Sequence, residues 1–213
     1  MGVFFMKTII TIGRQFGSGG REIGEKIAAH FGIKCYDKEL LSLAAKESGI
    51  CEEMIEVHDE RPTNSFLYNL VMDTYSFGYN ASSFTDMPIS HKVFLAQFDT
   101  IKKIADEAPC VIVGRCADYA LSDYENCLHI FIHAKEDAKM KRIMEKYDLS
   151  AQKAKEMMTK KDKQRQSYYN YYSSNKWGRS DTYDLSIDSS VLGIDGTVDM
   201  LIQYIENFEK MSK

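Results

Sequence analysis

Residues Gly17-Ser18-Gly19-Gly20-Arg21-Glu22 join the apolar run Ile9-Ile10-Thr11-Ile12 to a helical pattern with Ile23, Ile27, Ala28 and Phe31 on one face. A strand, a glycine turn and a helix start in that order expose backbone N–H groups at the positive end of a helix dipole, and glycines keep side chains out of the way. The chemistry this suits is capture of phosphate, with the amides of Phe16, Gly17, Ser18, Gly19, Gly20 and Arg21 as the cradle. The loop departs from the standard pattern G-x-x-x-x-G-K-[ST], which, ended at Gly19, wants Gly at Arg14 and Lys at Gly20. Arg21 follows at once and can supply a cation, while Glu22 stands near where a hydroxyl usually holds magnesium. A glycine-rich connector with no ligand has the same local sequence, so other segments must decide.

Three more polar residues are expected on the same rim. Val111-Ile112-Val113-Gly114-Arg115-Cys116-Ala117-Asp118 reads as a buried strand followed by charged residues, and Asp37 lies just past the short apolar run ending at Tyr36. Parallel sheets bind ligands beyond the carboxyl ends of their strands, which places Arg115, Asp118 and Asp37 near the glycine loop. An arginine fork suits a phosphoryl dianion; an aspartate suits a sugar hydroxyl or hydrated metal. Arg115 with Asp118 would look the same as a simple rim ion pair.

The elements that must position these groups are strands at Thr8 to Gly13, Ile33 to Tyr36, Cys110 to Gly114, Leu128 to His133 and Leu185 to Asp188, alternating with helical patterns. That alternation predicts an α/β fold with a parallel sheet covered on both faces. Residues 38–108 read as a helical insertion, with helices over 38–48, 52–59, 65–77 and 88–106, and an aperiodic cover over 76–87. Ile194 to Phe208 is expected to be the closing helix.

Residues 148–182 form a second polar region: Lys153, Lys155, Lys160, Lys161, Lys163 and Arg165 crowd its first half, and Tyr168, Tyr169, Tyr171, Tyr172 and Trp177 its second. At helical spacing Arg165, Tyr168, Tyr169 and Tyr172 share a face. A basic lid over nucleotide phosphates is one reading; a solvated helix whose tyrosines pack on the core or on another subunit is the other. The basic and aromatic mixture could also stack nucleic-acid bases, but the net charge of −4 argues against a nucleic-acid partner.

With 213 residues and 44% hydrophobic content the chain can bury one full core. Five cysteines, odd in number and without C-x-x-C spacing, suit reduced thiols in a cytoplasm. The opening from Met1 to Lys7 is expected to be neither a secretory segment nor a membrane anchor. Cys127, His129 and His133 share a strand face, but residues four apart on a strand lie roughly 13 Å from each other, too far for one metal ion.

At this point the chain resembles the cytidylate kinase-like family of P-loop nucleoside monophosphate kinases. The resemblance is carried by the stretch from Ile10 to Ile23, Tyr36-Asp37-Lys38-Glu39-Leu40, Val113-Gly114-Arg115, Ile130 to Ala134, Asp162-Lys163-Gln164-Arg165 and Tyr183 to Ser189. It implies a single three-layer domain over 1–213 with a five-stranded parallel sheet, an ATP site at the glycine loop, an acceptor site formed with insertion 38–108, and a lid over 148–182. It further implies ATP-dependent phosphoryl transfer to a nucleoside monophosphate of CMP/dCMP type, with Mg2+. A kinase for another small acceptor, or a weakly catalytic nucleotide-binding regulatory protein, is the alternative. On this reading Arg21 replaces the loop lysine and Arg115 holds the acceptor phosphate. Lys161 and Arg165 close over the transferring group, Asp37 and Asp118 meet the acceptor, and Glu22 enters the metal shell. The implied partners are small nucleotides, not membrane or stably bound nucleic acid, in a cytoplasmic protein that can form a homodimer.

Overall fold

A computed structural model describes residues 6–60 and 87–211. Five parallel strands, β1 (Ile9–Arg14), β2 (Lys34–Tyr36), β3 (Cys110–Val113), β4 (Cys127–His133) and β5 (Leu185–Asp188), form one sheet in the order β2-β3-β1-β4-β5. This is the α/β architecture expected, with each strand within two residues of its expected bounds. Central β1 is buried on both faces, which is why its sequence is an unbroken apolar run rather than an alternation.

Helices cover both faces. Ile10 and Ile12 pack with Ile23 and Ile27 of α1 (Gly20–Phe31) and with Leu201 and Ile205 of α8 (Ser189–Met211). On the opposite face Ile9 and Ile112 meet Leu40 of α2 (Glu39–Ser48) and Ile101 and Ile104 of α4 (Ile89–Glu107). The insertion also contributes α3 (Glu52–His58), whose Ile55 packs on Leu41 and Val93. The helix expected over 65–77 and most of the cover over 76–87 lie outside the described residues. A single turn, α5 (Ala117–Ala120), follows β3.

α8 starts five residues earlier than the periodicity predicts and breaks at Gly193, where φ is 70°. Its early start is useful: the Ser189 hydroxyl donates to the Ser18 carbonyl at 2.6 Å and so ties the glycine loop to the last helix. At the far end Glu209 accepts the Lys7 and Thr8 N–H groups at 2.6 and 2.5 Å, clasping the entry to β1.

The region expected as a lid over 148–182 is mostly one long helix, α7 (Ala151–Tyr172), preceded by α6 (Glu136–Tyr147). α7 anchors at both ends. Ala154 and Met158 pack on Ile143, and Tyr168, Tyr169 and Tyr172 pack with Phe94, Leu95 and Cys116, the Phe94 and Tyr172 rings stacking at 4.0 Å between centroids. These three tyrosines therefore belong to the core.

Candidate active site

β1 runs straight into the glycine loop, and α1 begins at Gly20 behind it. Gly17 and Gly19 take φ of +84° and +83°, a left-handed backbone that other residues adopt only at a cost. A side chain at residue 19 would also run into Arg142 and Ile194. The N–H groups of the first helical turn have no partner within the helix, so they are left for a ligand. Ser18 departs from the expected cradle, because its hydroxyl and its N–H both turn inward to the Gln15 carbonyl, at 2.9 and 3.3 Å. Phe16 is a correction: its N–H is already taken by the Asp162 carboxylate of α7 at 2.6 Å, braced by Lys139, which bonds Gln15 at 3.1 Å.

In front of the loop lies a cleft of about 1230 Å³, enough for two small ligands side by side. The loop, the start of α1, the ends of β2 and β3, α2, α3, α6 and the middle of α7 line it. Eight basic and seven acidic side chains line it. Arg21, Glu22, Asp37, Arg115, Lys161 and Arg165 all reach this cleft, as the sequence predicts. Asp118 does not. It faces away from the cleft, accepts the Tyr169 hydroxyl at 2.5 Å, and is pushed by burial toward its neutral form.

Arg115 sits immediately past β3 in a run of three left-handed residues, Gly114, Arg115 and Cys116, with φ of 80°, 55° and 54°. Such backbone in non-glycine residues costs on the order of 1 kcal/mol or more each and is typical of residues held for function. Its side chain is only 3% exposed. Nε and Nη2 fork onto Asp59 at 3.0 and 3.1 Å, while Nη1 reaches Asp37 at 3.2 Å and the Val113 carbonyl at 3.3 Å. Burial opposes the charge on Arg115, but the Asp59, Glu60 and Asp37 carboxylates outweigh burial and hold it ionised. The expected acceptor-phosphate arginine thus arrives with its fork filled.

Arg21 departs from its expected place as well. Its guanidinium turns along α1 toward Glu25 at 2.8 Å and Asp37 at 3.3 Å, not back over the loop. Glu22, half-exposed, lies 3.5 Å from Lys26. Lys161 is exposed at the cleft mouth.

Glu60 is the centre of a cluster that sequence reasoning did not identify. One carboxylate oxygen accepts Arg14 Nη1 at 2.6 Å and the other accepts Arg165 Nε at 3.1 Å. Burial would raise the Glu60 pKa, yet the charges of Arg14, Arg165 and Arg115 drive it well below the usual carboxylate range. Arg165 is pulled the opposite way: burial and the neighbouring Arg14 charge lower its pKa, and Glu60 only partly restores it. Two guanidiniums share one carboxylate, and Asp162 adds further negative charge near Arg165. Arg165 also donates to the Arg14 carbonyl at 3.3 Å and lies 5.7 Å over the Phe16 ring, linking α7 to the loop.

Arg14, Asp59, Glu60, Arg142 and Asp162 escaped sequence reasoning because their partners are distant in the chain. Arg14 carried one signal, as the residue standing where a standard loop has glycine. Among the described residues no three acidic, histidine or cysteine groups converge as a metal site. His129 instead shares a hydrogen bond with Thr11 at 2.8 Å. A magnesium ion held mainly by substrate phosphates needs only one or two protein carboxylates, and Glu22 is among those that line the cleft. No described helix is long and apolar enough to cross a membrane.

A family profile described as "Cytidylate kinase-like family" matches residues 9–191. The chain belongs to that family. A crystal structure of an uncharacterized protein from Eubacterium ventriosum is 35% identical and covers 93% of this chain and 98% of its own, with a TM-score of 0.69. A shikimate kinase from Acinetobacter baumannii, solved with shikimate, is 9% identical over 94% of this chain and 93% of that one, with a TM-score of 0.46. No curated protein matches the chain. Family membership supports a nucleotide or small-molecule kinase.

Proposed function

We propose that this protein transfers the terminal phosphoryl group of Mg-ATP to a nucleoside monophosphate, of CMP or dCMP type. The observation that carries the reading is the open amide turn of the glycine loop facing a cleft with Arg14, Arg115, Lys161 and Arg165 on its walls. Phosphoryl transfer asks a protein mainly to align donor and acceptor and to neutralise spreading negative charge, and this cleft is equipped for that work.

On this reading the loop and the start of α1 hold the donor phosphates, Glu22 meets the phosphate-bound magnesium, and Asp37 positions the acceptor. Lys161 and Arg165 approach the transferring group from α7, which acts as the lid; insertion 38–108 supplies acceptor specificity. Arg115 contributes to the acceptor phosphate only after exchanging part of its contact with Asp59 or Asp37. That filled fork favours a second reading, a kinase for a different small acceptor whose hydroxyls meet Asp37 and Asp59 without displacing them.

The test is to incubate the purified protein with Mg-ATP and each nucleoside monophosphate in turn and to follow ADP. Turnover with a cytidine nucleotide supports the first reading. ADP release only with a hydroxylated acceptor lacking phosphate supports the second. Tight ATP binding without turnover on any acceptor leaves a nucleotide-binding protein in place of a kinase.

A further inference from the structure

The two departures from the standard phosphate loop, Arg14 for glycine and Gly20 for lysine, are in contact. A Cβ placed on residue 20 would lie 2.6 Å from the Cβ of Arg14 and 3.4 Å from that of Ile132. Real Cβ atoms do not approach that closely, and the atom in the way is the root of the Arg14 side chain, which cannot swing aside. With arginine at position 14, position 20 must be glycine. With lysine at position 20, position 14 must give up its side chain.

A second glycine is cleared for the same arginine. Any side chain at residue 114 would collide with the Arg14 guanidinium and come within 2.7 Å of the Glu60 carboxylate. Arg14 therefore leaves β1, crosses the bare start of α1 and lies against the bare backbone at the end of β3. It is only 8% exposed, yet it lines the cleft. Its Nη1 and the Arg165 Nε hold the two oxygens of Glu60, so this pair already grips a two-pronged anion.

Of the other cations near the loop, Arg142 of α6 lies beside Gly19 and donates to the Gly17 carbonyl at 3.4 Å, and three more are turned to carboxylates. Arg21 faces Glu25 and Asp37, and the Arg115 fork is filled. Lys139 faces Gln15 and Asp162 and does not line the cleft.

We propose that positions 14 and 20 are an exchanged pair, in which Arg14 provides the donor-phosphate cation that a standard loop takes from a lysine at position 20. The proposal rests on the kinase reading for its catalytic consequence, but its steric half and its binding half stand apart from that reading. Arg14 enters the cleft from the strand, where the lysine would enter from the helix, and Glu60 holds the guanidinium in position until a phosphoryl oxygen takes or shares its place.

The experiment compares wild type, Arg14→Met, Arg14→Gly, Gly20→Lys and the double variant Arg14→Gly/Gly20→Lys. The readouts are melting temperature without ligand, calorimetric affinity for Mg-ATP, and ADP formation. Gly20→Lys is expected to melt lowest, and the double variant to recover much of that loss because the opposing Cβ is gone. Arg14→Met keeps the stem and removes the charge; it is expected to bind Mg-ATP at least tenfold more weakly and to turn over about a hundredfold or more slowly, the scale of one lost charge contact in a water-excluded site. The double variant should regain at least tenfold of the affinity lost in Arg14→Gly.

A double variant no more stable than Gly20→Lys overturns the exchange. Wild-type affinity in Arg14→Met overturns the phosphate role. If wild type binds Mg-ATP but transfers to no acceptor, the kinase reading fails while the affinities still decide the role of Arg14. If wild type binds neither Mg-ATP nor pyrophosphate, both fail.

Discussion

The glycine loop and the arginine cluster stand at the same rim of the sheet and prepare for negative charge in opposite ways. In the loop the work is done by backbone: left-handed Gly17 and Gly19, a helix start, and the Ser18 carbonyl tied to Ser189. In the cluster it is done by side chains already neutralised from within, Asp59 on Arg115 and Glu60 on Arg14 and Arg165. Backbone amides can await a ligand exposed to water at little cost. Buried guanidiniums cannot, since an unpaired charge in that setting costs several kcal/mol. The comparison teaches that a phosphate at the loop amides fills a site, while one at the arginine cluster, whether an acceptor at Arg115 or a donor oxygen at Arg14, must exchange partners within one.

That contrast can be broken most forcefully at Asp59. Asp59→Ala leaves buried Arg115 with half its partners, and breaking such a pair is expected to cost about 3 kcal/mol of unfolding free energy, read by urea denaturation. A loss below about 1 kcal/mol would mean that Asp59 does not neutralise Arg115 from within. Next is Arg165→Ala, expected to slow turnover on the order of a hundredfold with little change in the affinity for Mg-ATP. An equal fall in binding would assign Arg165 to the donor side of the comparison.

Gly17→Ala probes the opposite side. Its backbone is left-handed and the new methyl would lie 2.9 Å from Ile143 and 3.1 Å from the Lys139 carbonyl, so a loss of about 1–3 kcal/mol together with weaker Mg-ATP binding is expected.

The internal anion gives a pH signature. The depressed pKa of Glu60 means that its contribution is fully present above the ordinary glutamate value of about 4.3 and is lost as pH falls below it toward the folded value. Unfolding free energy should therefore drop between pH 5 and pH 3, by at least about 1 kcal/mol more in wild type than in Glu60→Gln. The smallest effect belongs to Asp118, whose carboxyl burial pushes toward neutrality. Asp118→Asn keeps an acceptor for Tyr169 and is expected to change stability at neutral pH by less than about 1 kcal/mol, in the stabilising direction, with no change in turnover. A tenfold loss of activity would return Asp118 to the site.

Much of this fold was legible in the chain because parallel strands buried on both faces leave continuous apolar runs; β5 matches its expected span to the residue. Boundaries slipped where a side chain decides them, as at Ser189, whose hydroxyl bonds to a loop 171 residues away. The rim was legible for groups that directly follow a strand, such as Arg115 and Asp37. It misled for Asp118, which the turn of α5 carries around to Tyr169. The neutralising carboxylates were invisible because no local period marks them: Glu60 meets Arg14 across 46 residues and Arg165 across 105. The tyrosines of α7 were ambiguous between core and partner surface, and only the stacking on Phe94 resolves them.

The clasp of Glu209 on the amides of Lys7 and Thr8 bears on how the chain comes to its final form. β1 precedes the other strands of the sheet in the chain yet lies in its middle, and its entry is secured by a carboxylate 201 residues beyond Thr8. Until that carboxylate is in place its apolar sides await β4 and the closing helix, an arrangement of high contact order in which folding is slow and the nascent chain is prone to association. Chaperone dependence during synthesis, and relief of it by slower translation, are the biological traces such a late latch should leave.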